Sequence, residues 1–253
     1  MNIRVVDASH GWRWIAEGIL IFRRNPPAWL LLIAILFVAS RVLLAIPLLG
    51  VLVVLLVPNF LAGLAHGAQA VTQGKPLRVA YLASGFLKNA VSLITIGGVS
   101  LVGQFLTLMV MAMIGGDAIS GISKTITAGA ATPATVEAMR GAAPRMMMAL
   151  IAGISVSLPL MMAVWFAPML VFFDNAKPLP AMVMSLWACI KNILPLLIFG
   201  LAIIVPMALL MPISLAARQP DLGLWLLAPL LVPAIYASYR DLFAPAPNPP
   251  QQA

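Results

Sequence analysis

The chain has 253 residues, 62% of them hydrophobic and only 9% charged, with a net charge of +8. A soluble domain is about 45–50% apolar and about 25% charged, so no water-surrounded core of this length hides the excess and lipid must be the solvent for much of it. The basic residues sit at the ends of apolar segments and not on a basic–aromatic surface, which argues against nucleic-acid binding and for the positive-inside bias of an integral membrane protein. The single cysteine, Cys189, excludes an intramolecular disulfide.

Residues 1–27 carry Arg4, Asp7, Arg13, Glu17, Arg23 and Arg24 and therefore do not span. Ser9 is placed to cap a helix beginning near Gly11. In that helix Trp12, Ile15, Ile19 and Phe22 share one face, and Arg13, Glu17 and Arg24 lie on another. Such a face belongs either at the headgroup boundary or against the protein's own membrane domain. Val38-Ala39-Ser40 before Arg41 loosely fits a signal-cleavage site, but the charged leader is too long and the apolar run resumes at once. An uncleaved span is expected.

From Ala28 to about Val71 the chain is almost wholly apolar, which is too long for one crossing of about 20 residues and right for two. Pro47-Leu48-Leu49-Gly50 supplies the turn, giving spans over 28–46 and 51–71. Gly74-Lys75-Pro76-Leu77 opens a short helix ending at Lys88-Asn89, and a third span covers 90–114. A polar interruption follows over 115–144, in which Thr132-Pro133 reads as the start of a short helix through Met139. The fourth span is 145–173. Asp174 to Leu179 opens another connecting helix, ending at Lys191-Asn192, before spans over 193–215 and 222–239 joined by Arg218-Gln219-Pro220-Asp221. These six spans make 28–243 a single membrane domain. The Pro-rich tail 244–253 is expected to be disordered.

One motif recurs. Arg24-Asn25, Lys88-Asn89 and Lys191-Asn192 each pair a cation with an asparagine at the start of an apolar run, where chance placement gives about 0.4 such pairs in the chain. Lys75-Pro76-Leu77 and Lys177-Pro178-Leu179 precede the second and third copies at nearly equal distances. The expected fold is therefore an all-α polytopic membrane helix bundle: three two-span repeats, each entered through an interfacial helix. In a six-span arrangement Arg4, Arg13, Arg23, Arg24, Lys75, Arg78, Lys88, Lys177, Lys191 and Arg240 share one side, against Lys124, Arg140, Arg145 and Arg218 on the other. The positive-inside rule places the first set, both termini and the interfacial helices in the cytoplasm.

The run from Arg4 to Trp14, with Phe22-Arg23-Arg24-Asn25-Pro26, resembles a family of uncharacterised proteobacterial inner-membrane proteins. More distantly, the pattern is similar to the membrane domain attached to some bacterial glycerophosphodiester phosphodiesterases. The resemblance implies a six-span protein of a bacterial cytoplasmic membrane. It brings over no catalytic residue, because the phosphodiesterase's acidic metal ligands have no counterpart in this chain.

The residues that carry chemistry are sparse. Asp7, Glu17, Asp117, Glu137, Asp174, Asp221 and Asp241 are spread singly, and no two stand at i, i+3 or i+4. His10 follows Asp7 by three, which reads as a capping or surface contact; His66 and Gln69 read as hydrated or bonded between helices. No acid–base pair, metal triad or activated nucleophile is legible, so no enzyme, metal or cofactor is expected. Met109 and Met113 share a helix face, but methionine is an ordinary filler of apolar interfaces as well as a soft copper ligand. Arg41, inside the first span, either reaches the interface or is paired with a group such as Gln104. Gly63-x-x-x-Gly67 allows close approach within the monomer or across a dimer.

The candidate functional residues are Arg24, Asn25, Arg41, Lys88, Asn89, Lys191 and Asn192. The expected function is a non-enzymatic membrane component that binds or organises lipid, a membrane-protein partner or a second copy of itself. The alternative is a channel or transporter for a small or lipid-like solute, suggested by the prolines within the spans and by Arg41.

Overall fold

The computed structural model describes residues 3–46, 48–127 and 133–243. Pro47 of the first predicted turn, Thr132 of the predicted cap and the 244–253 tail lie outside the described residues. Every element among the described residues is helical: α1 His10–Arg23, α2 Pro26–Ala45, α3 Gly50–Thr72, a 3-10 turn Val79–Ala83, α4 Ser84–Leu87, α5 Ala90–Thr127, α6 Pro133–Trp165, α7 Ala167–Asp174, α8 Pro178–Lys191, α9 Ile193–Ala216 and α10 Leu222–Phe243. Six segments are long and apolar enough to cross a membrane: 26–45, 50–72, 90–116, 140–174, 193–216 and 222–243. They match the predicted spans to within a few residues, because a sustained apolar run is the strongest signal a sequence offers.

The chain divides into two compact units, residues 1–97 with 163–253, and residues 98–162. In the smaller unit α5 and α6 approach where glycines leave room, Gly103 beneath Leu160 and Gly153 beneath Met111. Two predicted boundaries change here. The 115–144 interruption is mostly helix, with α5 running on to Thr127 and α6 beginning at Pro133. Its Gly, Ala, Ser and Thr content suggested a loop, but no proline interrupts the hydrogen-bond ladder between 90 and 127. Nor does the short helix predicted to end at Met139 stop there, since α6 passes through Pro144 and Pro159.

The larger unit holds α1–α4, α7–α10 and the adjoining ends of α5 and α6. The fourth predicted span is broken at Phe166, since Pro168 has no N–H to offer the carbonyl one turn back. At this break the Phe166 amide donates to Ser185 Oγ on α8 at 2.9 Å, and both residues are fully buried.

Helix α1 packs on the protein by a face other than the apolar one of Trp12, Ile15, Ile19 and Phe22. Gly11, Trp14, Gly18 and Ile21 are buried, whereas Trp12 is 63% exposed. Glycine adds nothing to a hydrophobic-periodicity count, yet it admits the closest backbone contact. A Cβ on Gly11 would collide with the Pro195 carbonyl of α9, and one on Gly18 would lie 2.6 Å from the Ala234 Cβ of α10. Between them Trp14 sits edge-on to Phe199, with ring centroids 6.2 Å apart. The Gly63-x-x-x-Gly67 face of α3 is filled from within the chain, Gly63 by the Tyr81 and Leu82 carbonyls and Gly67 by Leu77.

Leucine at Gly18 should cost about 1–3 kcal/mol by overpacking. A detergent-solubilised Gly18→Leu variant is expected to unfold at lower temperature. Gly200→Ala, with open space around its Cα, is expected to match the wild type or gain slightly. Equal losses in both would refute the glycine seat.

Candidate functional site

The three cation–asparagine pairs lie at the same kind of junction but do different work. Asn25 closes α1 and opens α2: at φ −155° its Oδ1 accepts from the Ala28 amide, ahead of the prolines that start the helix. Asn89 is at φ +58°, the left-handed region that asparagine tolerates. Its amide donates to the Val171 carbonyl at 2.8 Å and to Asn175 Oδ1 at 3.1 Å, tying the start of α5 to the end of α7. Asn192, at φ −119° and 1% exposed, uses both ends of its side chain. Its Oδ1 accepts from Val6 N at 2.9 Å, while its Nδ2 donates to the Arg4 and Ala188 carbonyls at 3.1 and 3.0 Å.

Their cations differ too. Arg24 Nη1 donates to the Val71 carbonyl at 2.8 Å, at the end of α3, where four backbone carbonyls lack helical donors. Lys88 Nζ stands 5.1 Å from the Phe172 ring centroid, a cation–π distance. Lys191 occupies the last turn of α8, exposed, where the helix dipole favours a positive charge.

The same end holds a polar cluster that no local spacing announced. Asp241, near the end of α10, accepts from Arg4 Nη1 at 3.1 Å, His10 Nδ1 at 2.6 Å and Trp14 Nε1 at 2.9 Å. At the start of α1 the His10 amide donates to the Asp7 carbonyl, as a capping contact does, while its ring turns to Asp241, 231 residues away. Nearby, Arg240 pairs with Glu17, and Tyr239 donates to Asp174. His66 contacts Ser84 Oγ at 2.9 Å and stands edge-on to Tyr81. The other ring nitrogen of His10, Nε2, faces Arg13 Nη1 at 3.4 Å. Among the described residues no three His, Cys, Asp or Glu side chains gather as metal ligands do.

Arg41 belongs to the opposite end of the spans. It is paired, and its partners are not Gln104: Nη1 donates to Gln219 Oε1 at 2.6 Å and Nη2 to Asp221 Oδ2. Asp221 also accepts from Trp225 Nε1 at 2.9 Å, and the Trp225 ring meets Phe37, over which the Arg41 guanidinium lies. Burial pushes the Asp221 pKa up, but hydrogen bonds from Trp225 and Arg41, its own amide and the guanidinium charge outweigh this and hold it below the usual carboxylate value. Between these ends, α2, α3 and α10 enclose an apolar hollow of about 250 Å³ bounded by Leu36, Leu43, Val53, Phe60, Trp225 and Val232.

No family model matches the chain. A curated relative, described as a "probable inner membrane protein" of Burkholderia thailandensis, is 26% identical over 260 residues, spanning 96% of this chain and 94% of its own. No solved structure matches. The relative and the six apolar helices together make this a multi-pass membrane protein.

Replacing Asn192 with alanine leaves a buried amide and two carbonyls unserved, which costs about 1–3 kcal/mol for each unsatisfied group. Replacing Asn25 removes a single cap worth about 1 kcal/mol. Thermal unfolding in detergent should therefore rank Asn192→Ala well below Asn25→Ala, and proteolysis of residues 3–9 should speed up only in the former.

The Asp221 pair also predicts an acid response. Because the folded pKa is lowered, its stabilisation is complete above the unfolded value near 3.9 and is lost as pH falls through the folded one. Asp221→Asn should lower stability at neutral pH and show a shallower decline than the wild type below about pH 4.

Proposed function

We propose that this protein is a non-enzymatic component of a bacterial cytoplasmic membrane that binds anionic lipid through the basic end of its helices. One observation carries the reading. At that end the carboxylates of Glu17, Asp174 and Asp241 are engaged by Arg240, Tyr239 and the Arg4–His10 pair. Arg23, Arg24, Lys75, Arg78, Lys88, Lys177 and Lys191, by contrast, form no ion pair among the described residues. Cations without an ion pair beside apolar spans suit the anionic cytoplasmic leaflet, where each is worth about 1 kcal/mol.

The same charge asymmetry puts both termini in the cytoplasm. The order of elements fits three two-span units, since a short helical stretch (10–23, 79–87, 178–191) precedes each pair of long helices. The exposed Trp12 and Leu20 of α1 suit a helix lying at the headgroup boundary. A channel or transporter is the weaker reading, because Arg41, the cation within the first span, is spent on Gln219 and Asp221.

Purification in native lipid followed by mass spectrometry should find phosphatidylglycerol retained over phosphatidylcholine, with the preference shrinking as salt screens it. Equal retention of both lipids, or a stoichiometric protein in their place, would sink the proposal. Orientation is tested separately. A cysteine replacing Lys75 should be labelled only from the cytoplasm, and one replacing Arg218 only from outside. Native Cys189 should stay silent, because burial pushes its thiol up to about 12.

A further inference from the structure

We infer that the hollow between the α1–α2 junction and the chain leaving α3 is a specific site for the phosphate of a lipid headgroup. The inference rests on the lipid-binding reading above and narrows it to one place. The hollow measures about 330 Å³ and is walled by Arg24 and Asn25 on one side and by Val71 and Gly74 to Leu77 on the other.

Its polar side chains all have N–H groups to donate. Arg24 spends Nη1 on the Val71 carbonyl, a bond that fixes the guanidinium at the rim. A guanidinium has five N–H donors in a rigid fork, so several remain for a ligand. Lys75 brings a second cation, exposed and without a side-chain partner among the described residues. Asn25 commits its Oδ1 to the Ala28 amide, which leaves Nδ2 able to donate. Among the described residues, no carboxylate lines the hollow. Cations and amide donors without an acidic competitor make a donor set for a tetrahedral oxyanion, and Arg with Lys is a recurrent phosphate pair.

The backbone cannot supply this by itself. Pro26 and Pro27 occupy the first turn of α2, so two of the amides that helix starts usually offer an anion are missing. Side chains must do the binding, and they are present. The remaining walls, Val71, Pro76 and Leu77, are apolar and give the glycerol and first acyl carbons a dry surface. Gly74, at φ +77°, reverses the chain so that Lys75 returns toward Arg24. A free phosphate would use the donors but not these walls, which favours the lipid as the source.

The test uses the full-length protein in detergent micelles doped with phosphatidylglycerol, read by native mass spectrometry. Lys75→Gln is the primary variant, because its side chain holds nothing in the fold; unchanged thermal unfolding checks that. Lys177→Gln, at the same basic end but outside the hollow, is the control. Lys75→Gln is expected to lose about fivefold in phosphatidylglycerol retention while Lys177→Gln keeps it. Arg24→Lys, which preserves charge but not the fork, is expected to lose retention as well. Equal losses at Lys75 and Lys177 would mean diffuse surface attraction and overturn the site, as would no loss at Lys75. Displacement of the lipid by millimolar inorganic phosphate or glycerol 3-phosphate would overturn the lipid source. A wild type without anionic preference would fail the broader reading; a preference indifferent to Lys75 would fail this inference alone.

Discussion

The docking of α1 on α10 is the contact on which the larger unit depends. Gly18 brings the two backbones together at Ala234, and Asp241 then gathers Arg4, His10 and Trp14 at the end of the same helix. Neither half works without the other. A side chain at position 18 would hold α1 away from α10, and the Trp14 N–H would lose its acceptor in a buried setting, where an unpaired polar group is costly. Asn192 extends the arrangement by binding residues 4–6, so the segment before α1 is joined to α8 and α10 alike.

Lipid as solvent explains why polar groups concentrate at the helix ends. Away from water each donor needs an internal partner, and the helix breaks observe that rule. The Phe166 amide at the α6–α7 break is met by Ser185, and the end of α3 lends carbonyls to Arg24. Arg41 is the hardest case, a cation on an apolar helix. It is tolerated because Gln219 and Asp221 approach from the α9–α10 connection and Trp225 orients the carboxylate. Arg41 is thus paired, whereas Arg23, Lys75 and Lys177 form no ion pair among the described residues.

The cation–asparagine motif separates what a short pattern can and cannot convey. It marked the three places where the chain turns into a long helix, and long helices begin there. The role of each asparagine was not legible. Asn25 caps, Asn89 takes a left-handed backbone and bridges to α7, and Asn192 latches a distant segment; these three uses share only a small amide able to donate and accept. Likewise the Trp12–Ile15–Ile19–Phe22 face obeyed helical periodicity and is not the buried one, because the partner surface selected the glycines.

Composition and apolar run length alone determined that the chain is helical, that six segments can cross a membrane, and roughly where each begins. Those are properties of the backbone in lipid, which must satisfy its own hydrogen bonds over about 20 residues whatever the neighbours are. Tertiary structure decided the pairings: Arg41 with Asp221, His10 with Asp241, Asn192 with Val6, and Arg24 beside Lys75 around one hollow. Each joins residues far apart in the chain. Their meeting depends on which helices pack together, which here turns on glycines and prolines that a hydrophobicity pattern does not weigh.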